Sequence, residues 1–181
     1  MSLNSPDKIF DELLLLRYQD GDKKALELLI KRWNPKIMNY AFRNTGDYQG
    51  AEDVAQEVWI SMLKGYQQIR NFRKIGTWLL GVTHNKSVDW IKKNPKPINQ
   101  QPGENIESPN ENKEEQINRM RQALTQLNMD QQNVLSLFYL EGFTLHEIAD
   151  ILDISIGTVK SRLFYARESL KKQIQKEDYE R

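Results

Sequence analysis

Cysteine is absent from the 181-residue chain, which excludes disulfide bonds and thiolate metal sites. The only two histidines, His84 and His146, have no companion ligands at metal-binding spacing, so we expect no metal and no cofactor. The longest apolar run, residues 13–16, is far too short to span a membrane, and no apolar segment follows a basic one at the N-terminus. We therefore expect a cytoplasmic protein without membrane insertion.

Strand-like alternation of apolar and polar residues is also missing, and so are a phosphate-binding loop and a nucleophile–base pair. Apolar residues recur instead at steps of three and four, which is typical of helices. The chain is therefore predicted to be all-α, and an enzyme is the least favoured class.

Charge is unevenly distributed, although the formal net charge is only +1. Residues 1–93 carry +4, residues 94–115 carry −3, and residues 116–181 are neutral overall. Within the last part, residues 160–172 hold five cations against one carboxylate. This local positive field favours a nucleic-acid contact, while the low total charge predicts weak DNA binding by the isolated chain.

Residues 94–115 contain four prolines, one glycine and few apolar residues. Such a segment buries too little apolar surface to order itself, so we expect a flexible linker. It divides the chain into two small helical domains, 1–93 and 116–181.

Residues 143–170 have the pattern of a helix-turn-helix. Thr144 and Glu147 form a capping box for a first helix, and Ser155 can cap a second one. The apolar residues of the second helix fall within about 60° of one another on a helical wheel. This stripe, predicted to be buried, is Val159, Leu163, Ala166 and Leu170.

The opposite face of that second helix carries Lys160, Ser161, Phe164 and Tyr165, flanked by Arg162 and Arg167. Aromatic rings among cationic and hydroxyl side chains suit a helix in the major groove, where they meet base edges and phosphates. The alternative is that the same face packs on a partner protein.

Periodicity predicts further helices on both sides of the linker. In the predicted helix 25–41, Pro35 should cause a kink or a break. A third helix, 51–65, presents Asp53, Gln56 and Glu57 on a polar face, and a fourth covers 77–93. The other ranges are 9–16, 25–41, 116–127 and 130–140.

Two sets of residues give the chain a resemblance to the extracytoplasmic-function group of bacterial sigma factors, which keeps only regions 2 and 4 of the sigma-70 family. Region 2 is resembled by Asp53-x-x-Gln56-Glu57-Val58-Trp59, Thr77-Trp78-Leu79 and Asn85. Region 4 is resembled by Gln126-Leu127 through Asp130, by 139–142, by 147–149, and by Gly157-Thr158-Val159-Lys160-Ser161-Arg162-Leu163 through Ala166-Arg167.

The resemblance implies a promoter-specificity subunit that binds core RNA polymerase and directs initiation at minus-10 and minus-35 elements. Asp53, Gln56 and Glu57 would bind the clamp helices of the polymerase, and region 4 would hold its flap. An anti-sigma factor is the further partner implied. The residues implied for the minus-10 element are Arg70, Asn71, Phe72, Arg73, Lys74, Asn85 and Lys86, with Phe72 stacking on a flipped base. Those for the minus-35 element are Thr158, Lys160, Ser161, Arg162, Phe164, Tyr165 and Arg167.

Some positions depart from the family pattern. Asp153 stands where a turn glycine is frequent, but Asp tolerates the left-handed conformation. Gly81 stands where a basic residue is common in the promoter-melting helix. The loop at Asn71–Arg73 is bulkier than usual, so minus-10 preference and melting strength are expected to differ.

The linker must be drawn out on a promoter. About 17 base pairs separate the two elements by roughly 58 Å, whereas 22 free residues relax to roughly 26 Å and reach at most about 75 Å. We therefore expect the domains to be mobile or folded together in solution, with polymerase fixing their separation.

Two other classes remain open from the residues alone. A conventional regulator would use the first domain for sensing or dimerisation, but it leaves the constellations at 53–59 and 77–85 unexplained. A protein-binding module would use Phe164 and Tyr165 to contact a partner instead of DNA.

Overall fold

The computed structural model describes residues 5–69, 71–95, 124 and 126–179. Its regular elements are helices throughout these ranges, which confirms the all-α prediction. None of these helices is both long and apolar enough to cross a membrane. The helices are α1 Ser5–Gln19, α2 Lys23–Thr45, α3 Tyr48–Gly65, α4 Ile75–Lys93, α5 Met129–Leu135, α6 Leu145–Leu152 and α7 Ile156–Tyr179. The predicted linker from residue 96 onward, and nearly all of the predicted helix 116–127, lie outside the described residues.

Helices α1 to α4 pack around one apolar core. Local signals set their ends: Asp22 accepts a hydrogen bond from the Lys24 amide at 3.0 Å, and Gly46 ends α2 in the left-handed conformation. Asp47 caps α3 by accepting from the Gly50 amide at 2.7 Å. The largest fully buried side chains of this core include Trp33, Tyr40, Ile37, Met62, Leu79 and Leu80.

Of the two outcomes expected at Pro35, a kink or a break, the break does not occur, because α2 continues from Lys23 to Thr45. Pro35 is exposed, whereas Trp33 and Ile37 on either side of it are buried. The proline therefore lies on the outward side of α2, and burial of the residues on both sides of it holds the helix together.

In α1, the apolar residues that recur at helical spacing are not the ones that are buried. Ile9, Leu13 and Leu16 recur at helical spacing, yet each remains close to half exposed. Leu14 and Leu15 are buried in their place. Periodicity finds an apolar stripe but cannot choose between two adjacent stripes of one leucine-rich helix.

The C-terminal helices form the predicted helix-turn-helix. The capping box of Thr144 and Glu147 is present at the start of α6, and Asp153 ends that helix with a φ of 52°. Ser155 accepts a hydrogen bond from the Thr158 amide at 3.0 Å. The predicted stripe on α7 is confirmed, with three members fully buried and Leu170 half-buried.

The predicted helix 130–140 changes partway along from an α-helix to a π-helix. Asn128 forms a capping box with Gln131, α5 ends at Leu135, and a π-helical turn covers Ser136–Leu140. Gly142 then adopts a φ of 71°, as the glycine after a helix often does.

The two halves of the chain are packed together. Helix α6 lies against α4, and an ideal Cβ built on Gly81 would be 3.7 Å from the Ile151 carbonyl oxygen. Asn133 donates a 2.9 Å hydrogen bond to Asn44, and both side chains are buried. The expectation that the domains fold together therefore describes this structure.

Candidate functional site

The polar face of α3 lies on the surface, as expected. Asp53, Gln56 and Glu57 are exposed. Ile60 and Leu63, on the same helix, are also about half exposed. Carboxylates beside exposed aliphatic side chains form a surface that can bind another protein through both charge and apolar contact.

Glu57 also contacts a residue predicted to bind DNA. Its Oε2 atom lies 2.7 Å from the Lys86 ammonium. The hydrogen bond from Lys86 lowers the pKa of Glu57, which keeps this exposed carboxylate ionised. The predicted polymerase-binding face and the predicted minus-10 face therefore meet along the line between α3 and α4.

The loop before α4 is shaped by a local cap, and its cations pair with carboxylates distant in the sequence. Asn71 accepts a hydrogen bond from the Arg73 amide at 3.1 Å and so caps the short turn at Phe72–Lys74. Arg73 pairs with Glu12 at 2.7 Å. Arg70 lies outside the described residues.

Phe72 does not stand free in solvent. Its ring is half-buried and packs against the core, which fixes the loop on the domain. The aromatic side chain that lines the neighbouring cleft is Trp78, which is itself half-buried against the core. Nothing in the local pattern separates the two rings, because their difference depends on how the loop turns into α4.

The cleft between this loop and α4 has a volume of about 490 Å³. Asn71, Lys74 and Asn85, all predicted minus-10 residues, meet on its walls. Asp150 of α6 lines it as well and pairs with Lys74 at 3.2 Å. The other lining residues are Ile69, Thr77, Trp78, Gly81 and Val82.

The exposed face of α7 gathers most of the predicted minus-35 residues. Phe164 is 56% and Tyr165 62% exposed, and their rings meet edge to face at 5.5 Å. Lys160 and Ser161 are exposed on the same helix. Two large aromatic side chains left in water on a packed domain indicate a binding surface.

The remaining minus-35 candidates are tied to their own domain. Arg162 pairs with Asp130 at 2.6 Å, and Thr158 is half-buried beside Ser155. The guanidinium of Arg167 donates to the Leu163 carbonyl at 3.1 Å. These contacts orient the side chains along the helix without hiding the aromatic pair.

A second recess, which the sequence did not indicate, runs between α5 and α7. It has a volume of about 670 Å³ and a mostly apolar lining that includes Leu135, Leu140 and Leu170. Arg43 and Lys171 also line it. The π-helical turn exposes Tyr139 and Leu140 beside this groove. An apolar groove with cationic side chains suits an amphipathic acidic segment.

Within the described residues, no cluster of His, Asp and Glu has the composition of a metal site. His84 lies 3.2 Å from the Tyr40 hydroxyl, and burial lowers the pKa of its imidazole. His146 is exposed on α6.

Comparison with known proteins covers both halves of the chain. Residues 29–96 match the family Sigma-70 region 2, and residues 123–172 match Sigma-70, region 4. The chain is 32% identical to the RNA polymerase sigma-H factor of Pseudomonas aeruginosa, over 91% of this chain and 94% of that protein. It is 30% identical to the ECF RNA polymerase sigma-E factor of Haemophilus influenzae, over 93% and 97% respectively.

Two solved structures share the fold. CnrH, in complex with the cytosolic domain of CnrY, superimposes with a TM-score of 0.67 at 19% identity, over 92% of this chain and 97% of that one. The sigma factor RpoE, in complex with the anti-sigma factor NepR from Bartonella quintana, gives 0.65 at 22% identity, over 84% and 98%. From the sequence relatives and the two matched regions, this chain belongs to the ECF RNA polymerase sigma factors, the non-catalytic subunits that give the polymerase its promoter specificity.

Proposed function

We propose that the three surfaces described above divide promoter recognition among them. The exposed face of α3 binds the clamp helices of core polymerase. The cleft at the start of α4 takes the minus-10 element, and the exposed face of α7 reads the minus-35 element. The corresponding division of the chain is 1–93, 94–115 and 116–181.

The observation that carries this proposal is the convergence of Asn71, Lys74 and Asn85 on one cleft that also contains an indole ring. A base turned out of a duplex needs an aromatic or apolar surface to stack on and polar groups for its edge. We assign the stacking role to Trp78, while Phe72 anchors the loop against the core. Unpairing costs a few kcal/mol per base, so a cleft that captures one assists melting.

The minus-35 assignment rests on exposure. Lys160, Ser161, Phe164 and Tyr165 are all in solvent on the second helix of a helix-turn-helix. Arg162 and Arg167 flank them and are positioned to meet phosphates. The family assignment favours this reading over an operator-binding regulator or a module that binds only protein.

Further partners follow from the same surfaces. The apolar groove between α5 and α7 is proposed to hold the polymerase flap. Because the two solved neighbours were bound to CnrY and to the anti-sigma factor NepR, we propose that an anti-sigma factor also restrains this chain by covering the α3 face and α7. The polymerase it serves is cytoplasmic, and we place the chain there.

Run-off transcription with purified core polymerase tests the proposal. On a pool of promoter fragments, the wild type should direct discrete start sites. Asp53→Lys should abolish them and should also prevent co-elution with core polymerase in gel filtration. Glu27→Lys is the matched control, because it makes the same charge change at an exposed position of α2.

A result against the proposal would be Asp53→Lys supporting the same start sites as Glu27→Lys. Discrete footprints on DNA by the chain alone, with no association with polymerase, would instead favour the regulator interpretation.

A further inference from the structure

The groove between α5 and α7 has the size and the lining of a small-molecule site. Its volume of about 670 Å³ lies within the roughly 300–1,000 Å³ of known ligand pockets. Leu124, Leu135, Leu140 and Leu170 supply apolar walls. Ligands of such pockets are held mainly by apolar contact, while a few polar groups fix their orientation. The groove therefore suits a molecule with a long apolar part.

The charged side chains that line this groove are all cations in the part of the chain that the structure describes. They are Arg43, which comes from α2, and Arg167 and Lys171, which come from α7. Groups of one sign around a recess attract a ligand of the opposite sign. The apolar ligand that fits the groove is therefore expected to carry an anionic group.

Arg43 is the cation whose hydrogen-bonding groups are left unpaired. Its Nε and Nη2 atoms are buried and have no hydrogen-bond partner among the described residues. The Glu141 carboxylate lies 3.5 Å from Nη2, farther than the roughly 2.7–3.2 Å of an N–H···O hydrogen bond. Burial lowers the pKa of Arg43, because its charge is only partly compensated. Since 31% of the side chain is still exposed, the guanidinium remains within reach of a molecule in the groove.

Ser136 places a second unpaired donor beside Arg43. Its side chain is only 6% exposed, and its hydroxyl has no hydrogen-bond partner in the described chain, although buried hydroxyls nearly always have one. One turn before it, Asn133 donates to Asn44, the neighbour of Arg43 in the sequence. One turn after it, Glu141 faces Arg43 and donates its amide to the Ser136 carbonyl at 3.1 Å. The two unpaired groups therefore lie on the same side of the groove.

A carboxylate is the anion that matches this set of donors. Its two oxygens offer about four lone-pair sites, which is enough for two guanidinium N–H groups and one hydroxyl. A protein helix laid in the groove has its own backbone groups paired, so it offers acceptors only through its side chains. An inorganic anion would pair with the donors but would leave the apolar walls uncovered. Both requirements are met by a carboxylate at the end of a hydrocarbon chain.

We propose that the groove between α5 and α7 binds a long-chain monocarboxylate, with the carboxylate against Arg43 and Ser136 and the hydrocarbon chain along Leu135, Leu140 and Leu170. This site goes beyond promoter recognition, which requires no small molecule. The groove is also proposed to hold the polymerase flap, so a bound carboxylate would exclude the flap. That consequence alone rests on the proposed function.

Displacement of dansyl-labelled undecanoate from the full-length chain measures binding directly. All competitors are used below their critical micelle concentrations. Dodecanoate should bind at least about tenfold more tightly than decanoate, because each buried methylene strengthens binding roughly fourfold. Dodecanol has the same chain without the charge and should bind at least about tenfold more weakly than dodecanoate. Dodecyltrimethylammonium carries the opposite charge and should not displace the probe.

Three variants test the residues assigned to the carboxylate. Ser136→Ala should weaken dodecanoate binding about three- to tenfold without lowering the urea midpoint of the free chain, because the hydroxyl it removes is unpaired. Arg43→Met should weaken binding by about tenfold or more. Lys171→Glu should weaken it several-fold, whereas Lys172→Glu is the matched control and should leave it unchanged. Both lysines are exposed on α7, but Lys171 lines the groove.

Two results of the binding experiment would overturn the proposal. One is equal affinity for dodecanoate and dodecanol, which would show that the groove recognises only the chain. The other is unchanged dodecanoate affinity in both Ser136→Ala and Lys171→Glu. These two variants leave the pairing of Glu141 intact, so they decide the question even if Arg43→Met does not fold.

Run-off transcription separates this inference from the proposed flap contact. Dodecanoate should inhibit transcription by the wild-type chain at the concentrations that fill the groove, and the Ser136→Ala chain should need several-fold more. Selective binding without inhibition would support the carboxylate site and remove the flap from the groove. Weak and unselective binding together with normal transcription would overturn the site and leave the proposed function intact.

Discussion

Gly76 offers a sharp test of how the first domain is packed at the start of α4. A Cβ at this position would lie 2.3 Å from Trp33 Cη2 and 2.5 Å from Cζ2, well inside van der Waals contact. The Trp33 ring is only 1% exposed and has no free space to move into solvent. We expect Gly76→Ala to force a shift of the ring or of α4.

The expected cost follows from two opposing effects. Overpacking of a filled core costs about 1–3 kcal/mol, and replacing glycine in a helix recovers at most about 1 kcal/mol. The net loss should be about 1 kcal/mol for Gly76→Ala. Gly81→Ala in the same helix is the control, since its Cβ meets Ile151 at an ordinary 3.7 Å, and it should gain about 0.5–1 kcal/mol.

Urea unfolding followed by tryptophan fluorescence measures both variants, because all four tryptophans lie in the first domain. With a slope of about 2 kcal/mol per M, Gly76→Ala should lower the midpoint by about 0.5 M, whereas Gly81→Ala should raise it slightly. A midpoint for Gly76→Ala at or above that of the wild type would show that the Trp33 ring does not pack on this backbone.

Two further predictions concern pH and salt. Burial lowers the pKa of His84 in the folded chain, so the unfolded state binds more protons as pH falls below about 6.5, and the free energy of unfolding should decrease there. His84→Gln should flatten this decrease. A variant with the same pH profile as the wild type would contradict the assignment of the decrease to His84. Lys160→Ala should weaken promoter binding by the holoenzyme and reduce the slope of log K against log salt by about 0.9. Lys31 is exposed on α2, and Lys31→Ala should match the wild type. Equal slopes for the two variants would show that Lys160 does not contact the DNA.

Structural features that depend on contacts within a few residues were predicted correctly from the sequence. The capping box at Thr144, the left-handed turn at Asp153 and the cap at Ser155 each depend on neighbouring backbone groups. The α7 stripe was found for the same reason, since one helix determines which residues share its face. These local rules were enough to locate the helix-turn-helix and its exposed aromatic pair.

Features that depend on contacts between residues distant in the sequence were predicted less well. Pro35 was expected to kink or break a helix that packing on both sides keeps continuous, and the exposed leucines of α1 were not distinguished from the buried ones. That Trp78 and not Phe72 lines the cleft has the same origin, because the direction of each ring is set by how the loop packs against α4.

The sequence by itself determined that the chain is helical, where the helix-turn-helix lies, and which polar faces are exposed, because caps, periodicity and charge are properties of short segments. Only the tertiary structure decided that Asp150 meets Lys74 and that Glu57 meets Lys86. The residues of the first pair are 76 positions apart and those of the second pair 29. No local rule relates positions so distant, so both contacts follow from how the helices pack in the tertiary structure.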